Sequence, residues 1–184
     1  MQNKSTLRAN LITARNAIIN DQRTLLDNNI ATKILTWWQT NQFHSLGVYW
    51  PMRGEPDLHP LYATLHAQGV RLALPVVVAP AHPLQFMYWT PGEEVNKDRY
   101  GACVPAAQNE VIKPDALLIP CLGFTRSGYR LGYGGGFYDR TLALKPRPYT
   151  VGVAYANGET EFAPETYDVV LDLIITDTTS FTCQ

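Results

Sequence analysis

The chain has 184 residues, of which 46% are hydrophobic and 17% are charged, and its formal net charge is −1 at pH 7. This length and composition predict one globular domain with a sizeable core and exclude an intrinsically disordered chain. The near-zero charge excludes a broad basic surface for nucleic acid or membranes, so any anion must be bound by a local cluster of cations.

Other sequence features bear on the compartment. The sequence contains no apolar run long enough to span a bilayer, and its first residues lack the pattern of a secretory signal. Cys103, Cys121 and Cys183 are scattered, which suits free thiols in a reducing compartment, and Cys121 is expected to be a small buried filler. We therefore expect a cytoplasmic protein that binds neither nucleic acid nor a membrane.

Hydrophobic periodicity in the first half of the chain predicts three helices and one strand. In chain order these are a helix over 4–16, a helix over 21–39, a strand over 45–50 and a helix over 58–68. Asp57 would cap the third helix, and Gly69 would close it.

After residue 69, short apolar runs predict strands that alternate with helical segments. The predicted strands cover residues 70–78, 84–89, 116–119, 149–155 and 171–175, and a helix covers 137–145. This alternation is typical of an α/β layered fold with a largely parallel sheet. No repeat or linker interrupts the pattern, so we expect a single domain over residues 1–184.

A glycine-rich loop follows the strand over 116–119. It contains Gly132, Gly134, Gly135 and Gly136. The missing side chains allow backbone N–H groups to converge on one anion, and the helix that begins at Phe137 points its N-terminus at the same place. A tight turn without a ligand is the alternative for the glycines alone.

The residues that flank this loop favour a phosphate ligand. Arg130 and Arg140 add positive charge, while Asp139 would repel a phosphate unless a cation such as Mg²⁺ lay between them. The loop is neither a Walker A motif nor a dinucleotide fingerprint, because no Gly-Lys-Ser/Thr follows and Phe137 replaces the third glycine of the fingerprint.

Three segments resemble the 5-formyltetrahydrofolate cyclo-ligases, also called 5,10-methenyltetrahydrofolate synthetases. They are Pro-Cys-Leu-Gly-Phe from Pro120, Gly-x-Arg-Leu-Gly-x-Gly-x-Gly from Gly128, and the aromatic-Tyr-Asp-Arg run that ends at Arg140. The resemblance implies a three-layer Rossmann-like fold, with helices on both sides of the sheet. It also implies ATP- and Mg²⁺-dependent ring closure of 5-formyltetrahydrofolate to 5,10-methenyltetrahydrofolate.

The resemblance implies a nucleotide site built from the glycine loop and the first helix. Lys4 and Arg8 match a Lys-x-x-x-Arg pair that reaches the phosphates, and with Arg130 they are the expected catalytic cations. A solvated basic helix face is the alternative for this pair. The expected nucleotide-binding residues are Lys4, Arg8, Arg130, Leu131, Gly132, Tyr133, Gly134, Gly135, Gly136, Phe137 and Tyr138.

The resemblance also implies a folate site. Glu55 falls where the family has a glutamate that binds the pterin ring, Met52 is the matching apolar pocket residue, and Tyr100 matches an aromatic that flanks the folate. An exposed loop glutamate is the alternative for Glu55. The expected substrate-binding residues are Met52, Glu55, Tyr100, Tyr133 and Tyr138.

For the metal, the resemblance implies Asp139 and Asp168 as Mg²⁺ ligands. Asp172 is a weaker candidate, since it could instead serve as a structural cap or bridge.

The chain departs from the family pattern at several positions. Thr125 stands in place of an aspartate, Val104 in place of a commoner glutamate or glutamine, and Tyr167 in place of a histidine. Some members have an arginine at the position of Tyr133 and a lysine at that of Gly135. Because Tyr133 and Gly135 lack these positive charges, more of the phosphate charge falls on Lys4, Arg8, Arg130 and Mg²⁺.

Two other classes of function are alternatives. A non-catalytic folate- or nucleotide-binding regulator would explain Thr125 and Val104, and a sugar-phosphate isomerase or CoA-transferase-like enzyme would act without ATP. The expected partner is a small molecule, 5-formyltetrahydrofolate with or without a polyglutamate tail, and the expected state is a monomer.

Overall fold

A computed structural model describes residues 3–107 and 109–183. Its helices, in chain order, are α1 (Lys4–Asn16), α2 (Asn20–Gln39), α3 (His59–Ala67) and α4 (Phe137–Leu142), and a short 3₁₀ helix covers Ala156–Gly158. Within the described part of the chain, no helix is both long and apolar enough to cross a membrane.

The strands fall into one large sheet and two small hairpins. In chain order they are β1 (Ser45–Gly47), β2 (Arg71–Val77), β3 (Leu84–Tyr88), β4 (Val95–Lys97), β5 (Cys103–Pro105), β6 (Val111–Ile112), β7 (Ala116–Pro120), β8 (Gly123–Phe124), β9 (Arg130–Leu131), β10 (Tyr149–Val153), β11 (Leu173–Ile175) and β12 (Ser180–Thr182). The pairs β4–β5 and β8–β9 form the hairpins.

The large sheet has eight strands in the order β12-β11-β10-β7-β1-β2-β3-β6. Strands β11, β10, β7, β1 and β2 run parallel, whereas β3, β6 and β12 pair antiparallel at the two edges. The prediction of a largely parallel sheet is confirmed. The chain leaves β1 towards β2 and leaves β7 in the opposite direction towards β10, so β1 and β7 flank a topological switch point, where α/β sheets bind ligands.

The core lies on both faces of this sheet. Along β7, Leu118 belongs to one hydrophobic cluster, whereas Leu117 and Ile119 belong to another, because successive side chains of a strand point to opposite faces. Helices α2 and α3 pack on the first face through residues such as Ile34, and α4 packs on the second through Leu142. The three-layer arrangement is therefore confirmed.

The predicted boundaries near the functional loops were too long. The first strand ends at Gly47 rather than residue 50, and α4 ends at Leu142 rather than residue 145. The predicted end at Lys145 overlooked Pro146, because the residue before a proline is disfavoured in helical conformation. The strand over 171–175 begins only at Leu173, and β12, the partner of β11, was not predicted.

The predicted cap of α3 was one residue off. Leu58 is the N-cap, and it makes no side-chain capping bond. Asp57 still accepts the N–H of His59 at 3.0 Å, so it stabilises the entry to the helix from one position earlier. Gly69 closes α3 as predicted, with a φ of +87°.

Candidate active site

A cavity of about 450 Å³ opens at the carboxyl ends of β1, β2 and β7. Tyr49 and Trp50 follow β1, Pro75 and Val77 lie near the end of β2, and Pro120 ends β7, and all of them line the cavity. The strand ends thus form its floor at the switch point of the sheet, where backbone leaving adjacent strands separates.

Every residue that the sequence analysis assigned to nucleotide, folate or metal lines this one cavity. They are Lys4, Arg8, Met52, Glu55, Tyr100, Arg130, Leu131, Gly132, Tyr133, Gly134, Gly135, Gly136, Phe137, Tyr138, Asp139 and Asp168. The fold therefore brings the predicted residues together from both ends of the chain, while their individual roles stay predictions.

The glycine loop has the backbone freedom that its sequence predicted. Gly134 and Gly136 have φ of +94° and +63°, in the left-handed region that favours glycine. A Cβ built on Gly132 would meet no heavy atom within 4 Å, so this residue faces open space. Arg8 donates from Nε to the carbonyl of Gly132 at 2.8 Å and holds the loop against α1. The arrangement suits close approach by a bulky anion.

The predicted phosphate cations pair with the predicted metal carboxylates. Arg130 Nη2 lies 2.8 Å from Asp139 Oδ2, and Lys4 Nζ lies 3.0 Å from both Asp168 Oδ2 and Glu165 Oε1. Although partial burial alone would lower it, hydrogen bonds to Asp168 and Glu165 raise the pKa of Lys4 above its ordinary value. Arg130 Nη1 is buried, and no hydrogen-bond acceptor for it occurs among the described residues. This guanidinium can therefore donate a hydrogen bond to a further anionic oxygen.

The carboxylates fit a magnesium ion that is shared with a nucleotide. Among residues 3–107 and 109–183, no group of three or more His, Cys, Asp or Glu side chains could hold a metal by itself. Mg²⁺ is commonly bound by one or two carboxylates together with substrate phosphates and water. Asp139 and Asp168, which both line the cavity, match that donor set.

Glu55 is a buried carboxyl group on the cavity wall, with an exposed fraction of 4%. Its Oε2 accepts the N–H of Met52 at 3.0 Å, and its Oε1 accepts the hydroxyl of Tyr133 at 2.9 Å. Burial raises its pKa to about 7, although these two hydrogen bonds and the charges of Arg15 and Arg53 act in the opposite direction. The alternative that Glu55 is an exposed loop residue is therefore excluded.

A tight turn aims Glu55 into the cavity. The N–H of Glu55 donates to the carbonyl of Met52 at 3.0 Å, and the central residues Arg53 and Gly54 have φ of +50° and +73°. Positive φ at both central positions is the signature of a type I′ turn. Arg23 on α2 donates from Nη1 to the carbonyl of Gly54 at 2.6 Å, so the turn is fixed to the body of the protein.

Tyr100 lies at the mouth of the cavity, with 42% of its surface exposed. Its ring packs edge-on against Phe137, with the two centroids 5.4 Å apart. This position leaves one ring face able to stack on a planar ligand.

Arg140 and Asp172 lie outside the cavity lining. Arg140 flanks the glycine loop as predicted and donates from Nη2 to the carbonyl of Gly135 at 2.8 Å, but its charge lies outside the cavity lining. Asp172 accepts from Arg147 and from the backbone N–H of Thr150, at 2.8 Å for the latter. The structural alternative for Asp172 is therefore correct.

Sequence reasoning missed several residues that shape the site. Arg53 and Glu165 line the cavity, and Arg15 lies behind Tyr133. The helical spacing could have found Arg15, because residues 4, 8 and 15 fall within about 40° of one another around an α-helix. Glu165 lies in a loop, and no local pattern marks its approach to Lys4.

Comparisons with known proteins identify the family of the chain. A sequence model described as the 5-formyltetrahydrofolate cyclo-ligase family matches residues 1–177. The 5-formyltetrahydrofolate cyclo-ligase of Escherichia coli strain K12 is 30% identical over 174 residues, which cover 88% of this chain and 93% of the relative.

Two solved structures are also similar. The 5,10-methenyltetrahydrofolate synthetase of Mycoplasma pneumoniae aligns with a TM-score of 0.81 at 25% identity, covering 96% of this chain and 99% of that one. The NMR structure of the 5,10-methenyltetrahydrofolate synthetase of Aquifex aeolicus aligns with a TM-score of 0.82 at 26% identity, covering 97% and 92%.

Proposed function

The chain belongs to the 5-formyltetrahydrofolate cyclo-ligase family, and we propose that it closes the ring of 5-formyltetrahydrofolate by phosphoryl transfer from ATP with the help of Mg²⁺. The product is 5,10-methenyltetrahydrofolate, formed with ADP and phosphate. The substrate is a small molecule with or without a polyglutamate tail, and the protein acts as a monomer.

The chemical problem is the leaving group. N10 of the folate can attack the formyl carbon, but the formyl oxygen would then depart as hydroxide. Transfer of the γ-phosphoryl group of ATP to that oxygen makes the carbon electrophilic. N10 then forms the new C–N bond and loses its proton, and the former formyl oxygen departs with phosphate.

Such a reaction depends on positioning and charge neutralisation and needs no nucleophilic side chain. Lys4, Arg8 and Arg130 would offset the charge that spreads over the transferring group, and the backbone of the glycine loop would hold the phosphates. The spare buried Nη1 of Arg130 carries this assignment, because a buried guanidinium N–H without an acceptor costs free energy that an anionic oxygen would remove.

The metal would be held by Asp139 and Asp168 together with phosphate oxygens, and it would supply further charge neutralisation. For these carboxylates to bind it, Arg130 and Lys4 must exchange their present partners for phosphate oxygens. Both exchanges leave these two carboxylates and two cations paired. Glu165, the second partner of Lys4, would be released to water, to which 71% of its side chain is already exposed.

The folate ring would bind at the other end of the cavity. A pterin has an N–H and an amino group side by side, and the two oxygens of Glu55 can accept from both. Tyr100 at the cavity mouth would stack on the ring face, and Met52 and Tyr138 would provide further contacts.

Absorbance provides the direct test, because the methenyl product has a conjugated amidinium chromophore that the substrate lacks. We expect the absorbance to rise with 5-formyltetrahydrofolate only when ATP and Mg²⁺ are both present. ATP-independent turnover of a sugar phosphate or a thioester would instead support the isomerase or transferase class. Absence of turnover with all of these substrates would support the non-catalytic regulator.

Arg130→Ala supplies the matched variant for this assay. We expect its turnover to fall by about 100-fold or more, because it loses charge stabilisation of the transferring group. Arg126→Ala is the control, because Arg126 also pairs with one carboxylate, Glu159, but is exposed and lies outside the cavity lining. Near wild-type turnover in Arg130→Ala would refute the phosphate assignment.

A further inference from the structure

Arg15 is a buried cation that the proposed reaction does not use. It lies on α1 with an exposed fraction of 4%, and its Nη2 donates to the hydroxyl of Tyr133. Its Nε and Nη1 are buried, and neither has a hydrogen-bond partner among the described residues. Within the same residues, Arg15 forms no salt bridge. A buried charge without a carboxylate partner is unfavourable, and packing alone would be served as well by an apolar side chain.

The hydrogen bond from Arg15 fixes the direction of the next one. A guanidinium can only donate, so the Tyr133 oxygen accepts from Arg15. The single proton of that hydroxyl is then directed to Glu55 Oε1, at 2.9 Å. The backbone N–H of Met52 donates to Oε2, at 3.0 Å. Both oxygens of Glu55 are thereby held as acceptors, which is the form that a ligand with two adjacent N–H donors requires.

Tyr133 also belongs to the glycine loop, between Gly132 and Gly134. Its side chain therefore contacts the carboxylate of Glu55, the proposed folate ligand. Its backbone is part of the loop that would hold the phosphates. The guanidinium of Arg53 lies 4.8 Å from the Tyr133 ring centroid and that of Arg15 lies 5.7 Å from it, so two cations fix the ring.

We propose that Arg15 is a positioning residue of the folate site, which acts through the Tyr133 hydroxyl to hold Glu55 as a two-oxygen acceptor. This inference rests on the proposed function, since it takes the folate ring as the ligand of Glu55. It distinguishes Arg15 from Lys4 and Arg8 on the same helix, which serve the phosphates. Loss of Arg15 therefore weakens the affinity for the folate much more than the affinity for ATP.

The test uses Arg15→Met, Tyr133→Phe and the double variant in the absorbance assay. We expect each single variant to raise the KM for 5-formyltetrahydrofolate about tenfold, and to change the KM for ATP by less than about twofold. The double variant should be within about twofold of the worse single variant, because both changes interrupt one chain of hydrogen bonds. Arg15→Lys keeps a donor and the charge, so it should recover part of the folate affinity.

Two outcomes would overturn the inference. One is a KM for the folate in Tyr133→Phe that stays within about twofold of the wild-type value. Because this variant removes only a hydroxyl, it tests the chain of hydrogen bonds even if Arg15→Met does not fold. The other is an increase in the double variant that equals the product of the two single increases. Failure of the proposed function is distinguishable, because the wild-type protein itself would then give no ATP-dependent product.

Discussion

At the residue scale, Glu55 is under two opposing influences at neutral pH. Burial favours its uncharged form and raises its pKa to about 7, whereas the hydrogen bonds from Met52 and Tyr133 favour the carboxylate. The folded protein therefore binds more protons at this site than the unfolded chain does between the ordinary pKa of 4.5 and about 7. Stability from this group is present at low pH and is lost as the pH rises through that window.

Glu55→Gln tests this linkage, since glutamine keeps the shape and does not titrate. We expect the free energy of unfolding of the variant, relative to wild type, to increase by about 2 kcal/mol between pH 5 and pH 8. Urea unfolding of both proteins at both pH values measures the difference. The variant should also lose folate turnover, because an amide cannot accept from two donors with both of its polar atoms.

The neighbours of Glu55 do not contribute to the difference in stability between Glu55→Gln and wild type at the two pH values. Arg15 and Arg53 are the positively charged neighbours that act on Glu55. The other titratable groups that face Glu55 have a pKa raised by burial and stay neutral, and they are Tyr49, Tyr62, Cys121, Tyr133 and Tyr138. A stability difference that is the same at pH 5 and pH 8 would show that Glu55 does not titrate in this window.

At the scale of elements, α1 and one turn give the cavity its two ends. Lys4, Arg8 and Arg15 lie on one stripe of α1 that is about 16 Å long. Lys4 and Arg8 lie at the glycine loop and its flanking carboxylates, and Arg15 lies behind Tyr133 near Glu55. The turn over 52–55, which follows β1, supplies Glu55. A rigid helix and a tight turn therefore set the distance between the proposed phosphate contacts and the proposed folate contacts.

Gly54→Ala tests the turn at the scale of the element. The φ of +73° at Gly54 strains any other residue, and a Cβ there would lie 3.1 Å from Arg23 Nη1 and 3.2 Å from Asn16 Oδ1. We expect a loss of more than about 1 kcal/mol of stability and an increase in the KM for the folate, because the turn can no longer aim Glu55. Chemical unfolding and steady-state kinetics measure the two effects.

Gly69→Ala is the matched control. Its φ of +87° imposes the same backbone strain, but a Cβ there meets nothing within 4 Å. It lies at the end of α3, away from the cavity lining. We expect it to lose about 1 kcal/mol of stability with an unchanged folate KM. If both variants leave the KM unchanged, the turn does not position the substrate.

At the scale of the whole molecule, the fold pairs charges from opposite ends of the chain. Lys4 contacts Asp168 across 164 positions of sequence, and Arg130 pairs with Asp139 across the glycine loop. Mg²⁺ alone would compete with Lys4 and Arg130 for the carboxylates. ADP alone would compete with the carboxylates for the cations. Only the two together replace both the Lys4–Asp168 and the Arg130–Asp139 ion pairs, so their binding should be strongly coupled.

Thermal unfolding with Mg²⁺, with ADP and with both tests this coupling. We expect the combination to raise the Tm by clearly more than the sum of the two separate shifts. In Lys4→Met, the shift with Mg²⁺ alone should increase, because Asp168 loses its competing cation, and the coupling should decrease. Lys33→Met is the control, since Lys33 lies on α2 and donates to the backbone carbonyl of Asp177. Equal shifts with ADP alone and with Mg·ADP would contradict the exchange of partners.

Local sequence patterns were enough to predict the helices, the parallel strands of the large sheet and the candidate residues. Helix periodicity gave α1 and α2, the glycine spacing marked the loop from Gly132 to Gly136, and the resemblance to the family marked Glu55. These signals are local, since turns and helical faces depend on residues a few positions apart. The roles of the marked residues remain predictions, although all of them line one cavity.

Only the tertiary structure decided the order of the strands, the burial of Glu55 and the partners of each charge. Two of these contacts join segments that are far apart in sequence, namely the pair of Lys4 with Asp168 and the hydrogen bond from Arg15 to Tyr133. The burial of an unpartnered N–H on Arg130 likewise depends on how the chain folds around it. Such contacts depend on which strands lie side by side and on how the loops at their carboxyl ends meet. Local propensity carries no information about either, because the same elements could be arranged in other strand orders.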